Sequence, residues 1–176
     1  MNKPDSSTPA SASTRGSDAD AYLSVTGKRQ GPLKGEALAP GHDGDIAVLA
    51  WRWGMAAAAA QGATKAAGRR IFGALHVDKL VDASSTKLLS AMASNEELRA
   101  VRLGLRKAGA DEDFFTVELE RARVSSVDLL SDADGGLFES VKFGFHKIVV
   151  TYHAQQVNGR RGAAMVFSDE LQDGDS

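Results

Sequence analysis

The stretch Asp45-Ile-Ala-Val-Leu-Ala-Trp-Arg-Trp-Gly54 reads as a β-strand and carries the chain's two tryptophans. Side chains two apart on a strand share a face. Trp51 and Trp53 therefore fall on one face with Ala47, Leu49 and Met55. Two indoles side by side concentrate a large apolar area, and aromatic clusters on strands pack into cores. The expectation is one core strand over residues 46–55.

Working outward, Ala21-Tyr-Leu-Ser-Val-Thr26 is strand-like and Gly27 ends it. Residues 27–44 hold five glycines and two prolines, which predicts a long loop. A loop of that length in a compact domain usually makes functional contacts. Met55 to Ala67 is alanine-rich, and alanine favours helix. It lacks large apolar residues to anchor a helix, so a loop with at most a helical turn is expected.

Residues 69–80 read as a strand through Ile71, Phe72, Leu75 and Val77. Ser84-Ser85-Thr86 offers N-cap chemistry, and Leu88, Leu89, Met92 and Ala93 follow at helical spacing. One helix is predicted over 85–95. Val101, Leu103 and Leu105 then alternate with polar or small residues, as do Phe115, Val117 and Leu119. These predict two strands, the second continuing to about Leu130. Residues 132–136 are a loop, and Phe138 to Tyr152 reads as the longest strand. That strand is apolar on both faces, which asks for cover on both sides, one by the core and the other by a partner subunit. Asn158-Gly159 marks a turn, and 163–167 a last short strand.

The 176 residues carry 21 basic and 23 acidic side chains, for a net charge of −2. That balance, with no long Lys/Arg run, argues against nucleic-acid binding. With no cysteine, disulfides and thiolate chemistry are excluded. No segment is long and apolar enough to predict a membrane-spanning helix. Residues 1–19 lack the apolar region of a cleaved signal peptide and read as a disordered tail. The expected organisation is a tail over 1–19, a β domain over 20–167 and an acidic tail over 168–176.

The search for chemistry is empty. Nucleotide-binding loops and the G-x-S-x-G elbow are missing. His42, His76, His146 and His153 show no helical zinc spacing. Asp111, Glu112 and Asp113 read as a solvated turn, and Asp132-x-Asp134 lacks the other ligands of a calcium loop. Ser125-Ser126 has no adjacent base. No catalytic, cofactor or metal residue is assigned.

The ordered set Tyr22-Leu-Ser-Val-Thr-Gly27, Gly35-Glu36, His42, Ile46-Ala-Val-Leu-Ala-Trp-Arg-Trp-Gly54, Asp82-Ala-Ser-Ser, Lys87-Leu-Leu89, Val101-Arg-Leu-Gly-Leu-Arg-Lys-Ala-Gly109, Val124-Ser-Ser126 and Phe143-Gly-Phe-His-Lys-Ile148 resembles the Hcp family of bacterial type VI secretion. The resemblance covers roughly residues 20–167. Departures are Ser85-Thr86 where Ser-Pro is common, Gly109-Ala110 in place of Gly-Gly, and Phe143-Gly-Phe145 in place of Phe-Asn-Phe. It implies a mostly-β fold, a small β-barrel of two sheets with one flanking α-helix, assembling into a hexameric ring. Rings stack into a tube that a contractile sheath expels and that can carry effector proteins. It implies sheath, spike and effector partners, no enzyme activity, and passage from the bacterial cytoplasm to the outside without a cleaved signal peptide. The loop 27–44 corresponds to the family's ring-stacking loop, to which Gly35, Glu36 and His42 are assigned. The competing reading is a monomeric β-barrel that binds a small ligand in its interior.

Overall fold

The computed structural model describes residues 19–57, 70–155 and 161–171. Its first half contains β1 (Ala19–Gly27), β2 (Gly31–Pro32), β3 (Ile46–Val48), β4 (Ala50–Arg52), β5 (Met55–Ala57), β6 (Arg70–Phe72), β7 (Leu75–Leu80) and helix α1 (Ser85–Ala93). Then follow β8 (Leu98–Lys107), β9 (Asp113–Glu120), β10 (Arg123–Ser131), β11 (Leu137–Gly144), β12 (Lys147–Gln155) and β13 (Arg161–Glu170).

Two sheets enclose the core. The larger has the order β13-β12-β9-β8-β1-β2, with β3 also paired to β1, and the smaller has the order β10-β11-β7-β4. β5 and β6 form a separate two-stranded ribbon. Leu23, Val25, Val101, Leu103, Val117, Leu119 and Ile148 from the larger sheet meet Leu75, Val77, Val141 and Phe143 from the smaller. Alternation along β1 and β8 puts these residues on one face, as a half-buried strand requires. Helix α1 turns Ser85, Leu88 and Ala91 inward. The mostly-β barrel of two sheets with one helix is therefore as expected.

Several expected strands are divided, each at a corner between sheets. The tryptophan stretch is three short strands: β3 joins the larger sheet, β4 the smaller, and β5 the ribbon. The chain bends at Leu49, so the inward residues switch from Ile46 and Val48 to Trp51 and Trp53. Both tryptophans pack against the core. Ala47, Leu49 and Met55 are exposed instead of sharing their face.

The segment 115–130 likewise divides into β9 and β10, which lie in different sheets. The corner is Arg121, a non-glycine residue at φ 51°, followed by fully buried Ala122. The stretch 138–152 divides into β11 and β12 around Phe145-His146, again across sheets. Its two apolar faces are thus two strands seen in succession, each with an inward face. Residues 69–80 divide at Gly73-Ala74, where the Gly73 N–H bonds the Gly54 carbonyl.

Other boundaries also move. The last strand is longer than expected and runs into the expected acidic tail. The loop 27–44 includes the short strand β2. The expected Ser/Thr cap of α1 is absent: Ser84 makes no side-chain bond to the helix. The Asp82 carboxylate instead accepts the Ser84 N–H at 2.9 Å. The alanine-rich stretch begins as strand β5, and its remainder from residue 58 lies outside the described residues. So do most of the two expected tails and the turn at Asn158-Gly159.

Candidate functional site: a clamped loop and two apolar edges

Residues 33–45 fold back over the outer face of the larger sheet. The loop closes on itself through Gly35 N–H to the Gly44 carbonyl (2.9 Å), Ala37 N–H to Asp45 (3.0 Å) and Gly44 N–H to Ala37 (2.8 Å). Leu33 and Ala37 are buried beneath it. Gly35 has no room for a side chain, since a Cβ would lie 2.5 Å from the Asp45 carbonyl oxygen and 2.8 Å from Ile46 Cα. Glu36 is exposed and accepts the Ala83 N–H at 3.1 Å, tying the loop to the start of α1.

His42 is the loop's anchor. It is 3 % exposed and stacks on Tyr22 of β1, with ring centroids 4.2 Å apart and planes 14° from parallel. Its Nδ1 is 2.8 Å from Asp45 Oδ2 and its Nε2 is 2.9 Å from Asp113 Oδ1. The Arg102 guanidinium donates to Asp113 Oδ2 at 2.8 Å. Arg106 donates to the Pro40 carbonyl and lies 3.7 Å from Asp113. Gly104 makes room for this cluster, because any Cβ there would strike the Asp113 carboxylate. Burial opposes ionisation of Asp113. Bonds from His42 and Arg102 outweigh it and hold the carboxyl below the usual carboxylate range.

Asp113 was expected in a solvated turn, and it is buried at the start of β9. Of the residues assigned to ring stacking, Gly35 and His42 build the loop from inside and Glu36 ties its flank. The loop's most exposed large apolar side chain is Leu38, 86 % accessible. Sequence reading missed Tyr22, Arg102, Arg106 and Asp113 as its supports, since they come from three separate strands.

A second anchor holds the turn after β1. The buried Glu96 carboxylate accepts the N–H groups of Arg29 (2.6 Å) and Gln30 (3.0 Å) and the Gln30 side-chain amide (2.9 Å). The Gln30 N–H is the largest influence and holds the Glu96 carboxyl below its ordinary range against the opposing effect of burial.

Two sets of apolar side chains lie uncovered. The larger sheet extends past the smaller one at β12 and β13. There Tyr152 pairs with Met165 and Val150 with Phe167, on the face that elsewhere packs the core. Tyr152, Met165 and Phe167 are exposed there, and Val166 is exposed on the other face. The second set lies on the smaller sheet, where Leu130, Phe138 and Leu80 are aligned across β10, β11 and β7. Leu80 and Leu130 are exposed there, whereas exposed Leu129 and Leu137 fall on the other face, with Glu139.

The remaining groups noted in the sequence have structural partners. His76 Nε2 meets Ser140 Oγ, whose hydroxyl donates to Asp78 at 2.6 Å. Ser125 bonds the Lys142 carbonyl at 3.1 Å and Ser126 bonds Asp128 at 2.9 Å. Asp132 accepts the N–H groups of Asp134 (3.0 Å) and Gly136 (2.6 Å), closing the β10–β11 turn. His153 is on β12, and His146 lies at the corner before it, 2.9 Å from Glu170. Among the described residues, no group of three or more acidic or histidine side chains is placed to hold a metal ion.

Residues 22–152 match the family described as "Type VI secretion system effector, Hcp". The chain is 25 % identical over 158 residues to the major exported protein of Pseudomonas aeruginosa, covering 79 % of this chain and 92 % of that one. Its fold is similar to that of Hcp1 from E. coli EAEC 042, with a TM-score of 0.71 at 22 % identity, covering 86 % of this chain and 98 % of that one. Hcp1 from Salmonella typhimurium gives a TM-score of 0.69 at 24 % identity, over 86 % and 94 % of the two chains.

Proposed function

The chain belongs to the Hcp family of type VI secretion tube proteins, and from that membership we propose that six copies close into a ring whose stacks form the exported tube. The observation that carries this reading is the pair of different apolar surfaces on one chain. A ring built by rotation joins one surface of each subunit to a different surface of the next. The β12–β13 overhang, with Tyr152, Met165 and Phe167, and the smaller-sheet patch of Leu80, Leu130 and Phe138 supply two such surfaces. Exposed apolar clusters of this kind mark interaction sites.

The loop over 27–44, with Gly35, Glu36 and His42, is the proposed ring-to-ring contact, and Leu38 is its projecting side chain. Sheath and spike proteins and effector cargo are the proposed partners, and the tube is the route by which the chain leaves the cell. The filled interior, from Leu23 and Leu103 to Phe143, supports this reading over a monomeric barrel that encloses a ligand.

The test uses two variants, Met165→Asp and Leu130→Asp. Each should reduce the ring to monomer, because each spoils one of the two surfaces. Mixed together, they should form a heterodimer through the surface that each retains. Rings that survive both substitutions would overturn this pairing of surfaces.

A further inference from the structure

The two ends of the larger sheet carry opposite charge, and we infer that they are a matched pair: the basic end of one copy docks on the acidic end of the next. Strands β1, β8 and β9 pair antiparallel along their lengths. At one end Gly27 pairs with Leu98, beside the last residues of β9. At the other Ala19 pairs with Lys107, beside the first residue of β9. The 10 residues of β8 set these ends about 30 Å apart.

At the first end, the turn after β1 brings Lys28 and Arg29, and the corner between β9 and β10 brings Arg121 and Arg123. All four are exposed. Of the two carboxylates among them, Glu96 is buried and taken up by backbone N–H groups. Glu97 is half-buried and pairs with Lys28 and, at 3.5 Å, with Arg123. Arg29 and Arg123 also donate to the carbonyls of Ser94 and Asn95 beyond α1. Glu120 at the rim pairs with Lys147 at 2.8 Å. Four cations thus face outward around one accessible carboxylate. At the other end, Asp20 of β1, Asp111 and Glu112 of the β8–β9 turn and Asp43 of the clamped loop are exposed. Asp43 belongs here because its neighbour His42 contacts Asp113, and Pro40 accepts from Arg106. Lys34, beside Gly44, and Lys107, over the Phe114 ring, are the exposed cations near them.

Unlike ends attract and like ends repel, so the charges set a direction as well as a contact. The occupant is a second copy because one chain carries both halves. A contact between two different surfaces, repeated end to end, builds an open stack. The loop over 27–44 supplies Lys28 and Arg29 to the basic end and Asp43 to the acidic one. This contact rests on the tube reading and adds to it which residues meet between rings. Salt confines the attraction of exposed charges to about 10 Å at 0.1 M and about 3 Å at 1 M. Stacking should therefore be lost in high salt, while apolar ring closure persists.

The test uses the full chain, with stack length read from negative-stain images and ring mass from light scattering. Raising salt from about 0.05 M to about 1 M should disperse stacks into single rings of unchanged mass. Arg121→Glu rings and Asp111→Lys rings should each stay single in low salt. Mixed, they should pair, the intact basic end of one on the intact acidic end of the other. Variants that stack like the parent, rings that stay single in low salt, or stacks that ignore salt would overturn the contact and leave the ring standing. The salt series decides even if a variant fails to fold. A chain that forms no ring at any salt would overturn the tube reading and this contact together.

Discussion

Lys79 of β7 and Glu139 of β11 are directly paired across the smaller sheet, and both side chains are completely buried. The Lys79 ammonium also donates to the Leu80 carbonyl at 2.8 Å and to Asp82 at 2.9 Å. Ser85, the first residue of α1, donates to the same Glu139 oxygen at 3.0 Å. The pair thus joins two strands to the start of the helix. Removing Lys79 leaves the Glu139 carboxylate buried without a cation, and removing Glu139 leaves the buried ammonium with Asp82 alone. Lys79→Met or Glu139→Leu alone should cost about 3–5 kcal/mol, and the double variant should recover most of that. Urea unfolding at one fixed protein concentration measures it. Two small single effects that simply add would contradict the pairing.

Gly35→Ala should loosen the loop. The added methyl meets the backbone of Asp45 and Ile46, which cannot step aside as a flexible side chain could. A loss of about 1–3 kcal/mol is expected. Gly144→Ala is the control: a Cβ there meets nothing within 4 Å, so its effect should stay within about 0.5 kcal/mol. Equal effects at the two sites would refute the close-packing argument.

Acid should weaken the turn that Glu96 holds. A carboxyl depressed in the folded state contributes stability above its unfolded value, and that contribution is lost as pH falls through the folded value. Stability should therefore decline below the ordinary glutamate range of about 4.3. Glu96→Gln should flatten that decline, because it removes the titrating charge and keeps an acceptor for the Arg29 and Gln30 N–H groups. Unfolding midpoints between about pH 3 and about pH 6 test this. Identical slopes in the two proteins would count against the assignment. Asp113 acts with the same sign.

Leu38→Asp should separate stacking from ring closure. The side chain is almost fully exposed on a loop that other residues hold, so stability should change by no more than about 0.5 kcal/mol. If the loop joins rings, this variant should keep the ring mass and lose long stacks in negative-stain images. Stacks of undiminished length would move the contact elsewhere.

The barrel and its helix were legible because inward residues alternate along β8 and β9, and because Leu88, Leu89, Met92 and Ala93 follow at helical spacing; of these four only Leu88 is buried, and it packs inward with Ala91. The corners were missed although each left a trace. Inward positions pass from Ile46 and Val48 to Trp51 and Trp53, from Val117 and Leu119 to Ala122 and Val124, and from Phe143 to Ile148. Each passage changes odd for even numbering, and a single strand cannot do that without a bulge or a corner. Both sheets face the same core, so hydrophobicity continues through the corner and conceals the break.

The clamped loop was legible only in part. His42 could be placed in the loop, but its partners come from β1, β8 and β9, and no local pattern links them. Asp113 was hidden in the run Asp111-Glu112-Asp113. Lys79 left a clearer signal: it follows Leu75 and Val77 on the inward parity of β7, and Glu139 precedes Val141 and Phe143 on that of β11. Opposite charges at inward positions of two strands suggest a buried pair.

The most direct measurement is the solution mass of the purified chain by light scattering, with negative-stain images of the same sample. Six copies of the 18.5 kDa chain give about 111 kDa. A particle of that mass with a central hole is the predicted result. A monomer that stays monomeric at high concentration, with Met165, Phe167, Leu80 and Leu130 open to solvent, would contradict it.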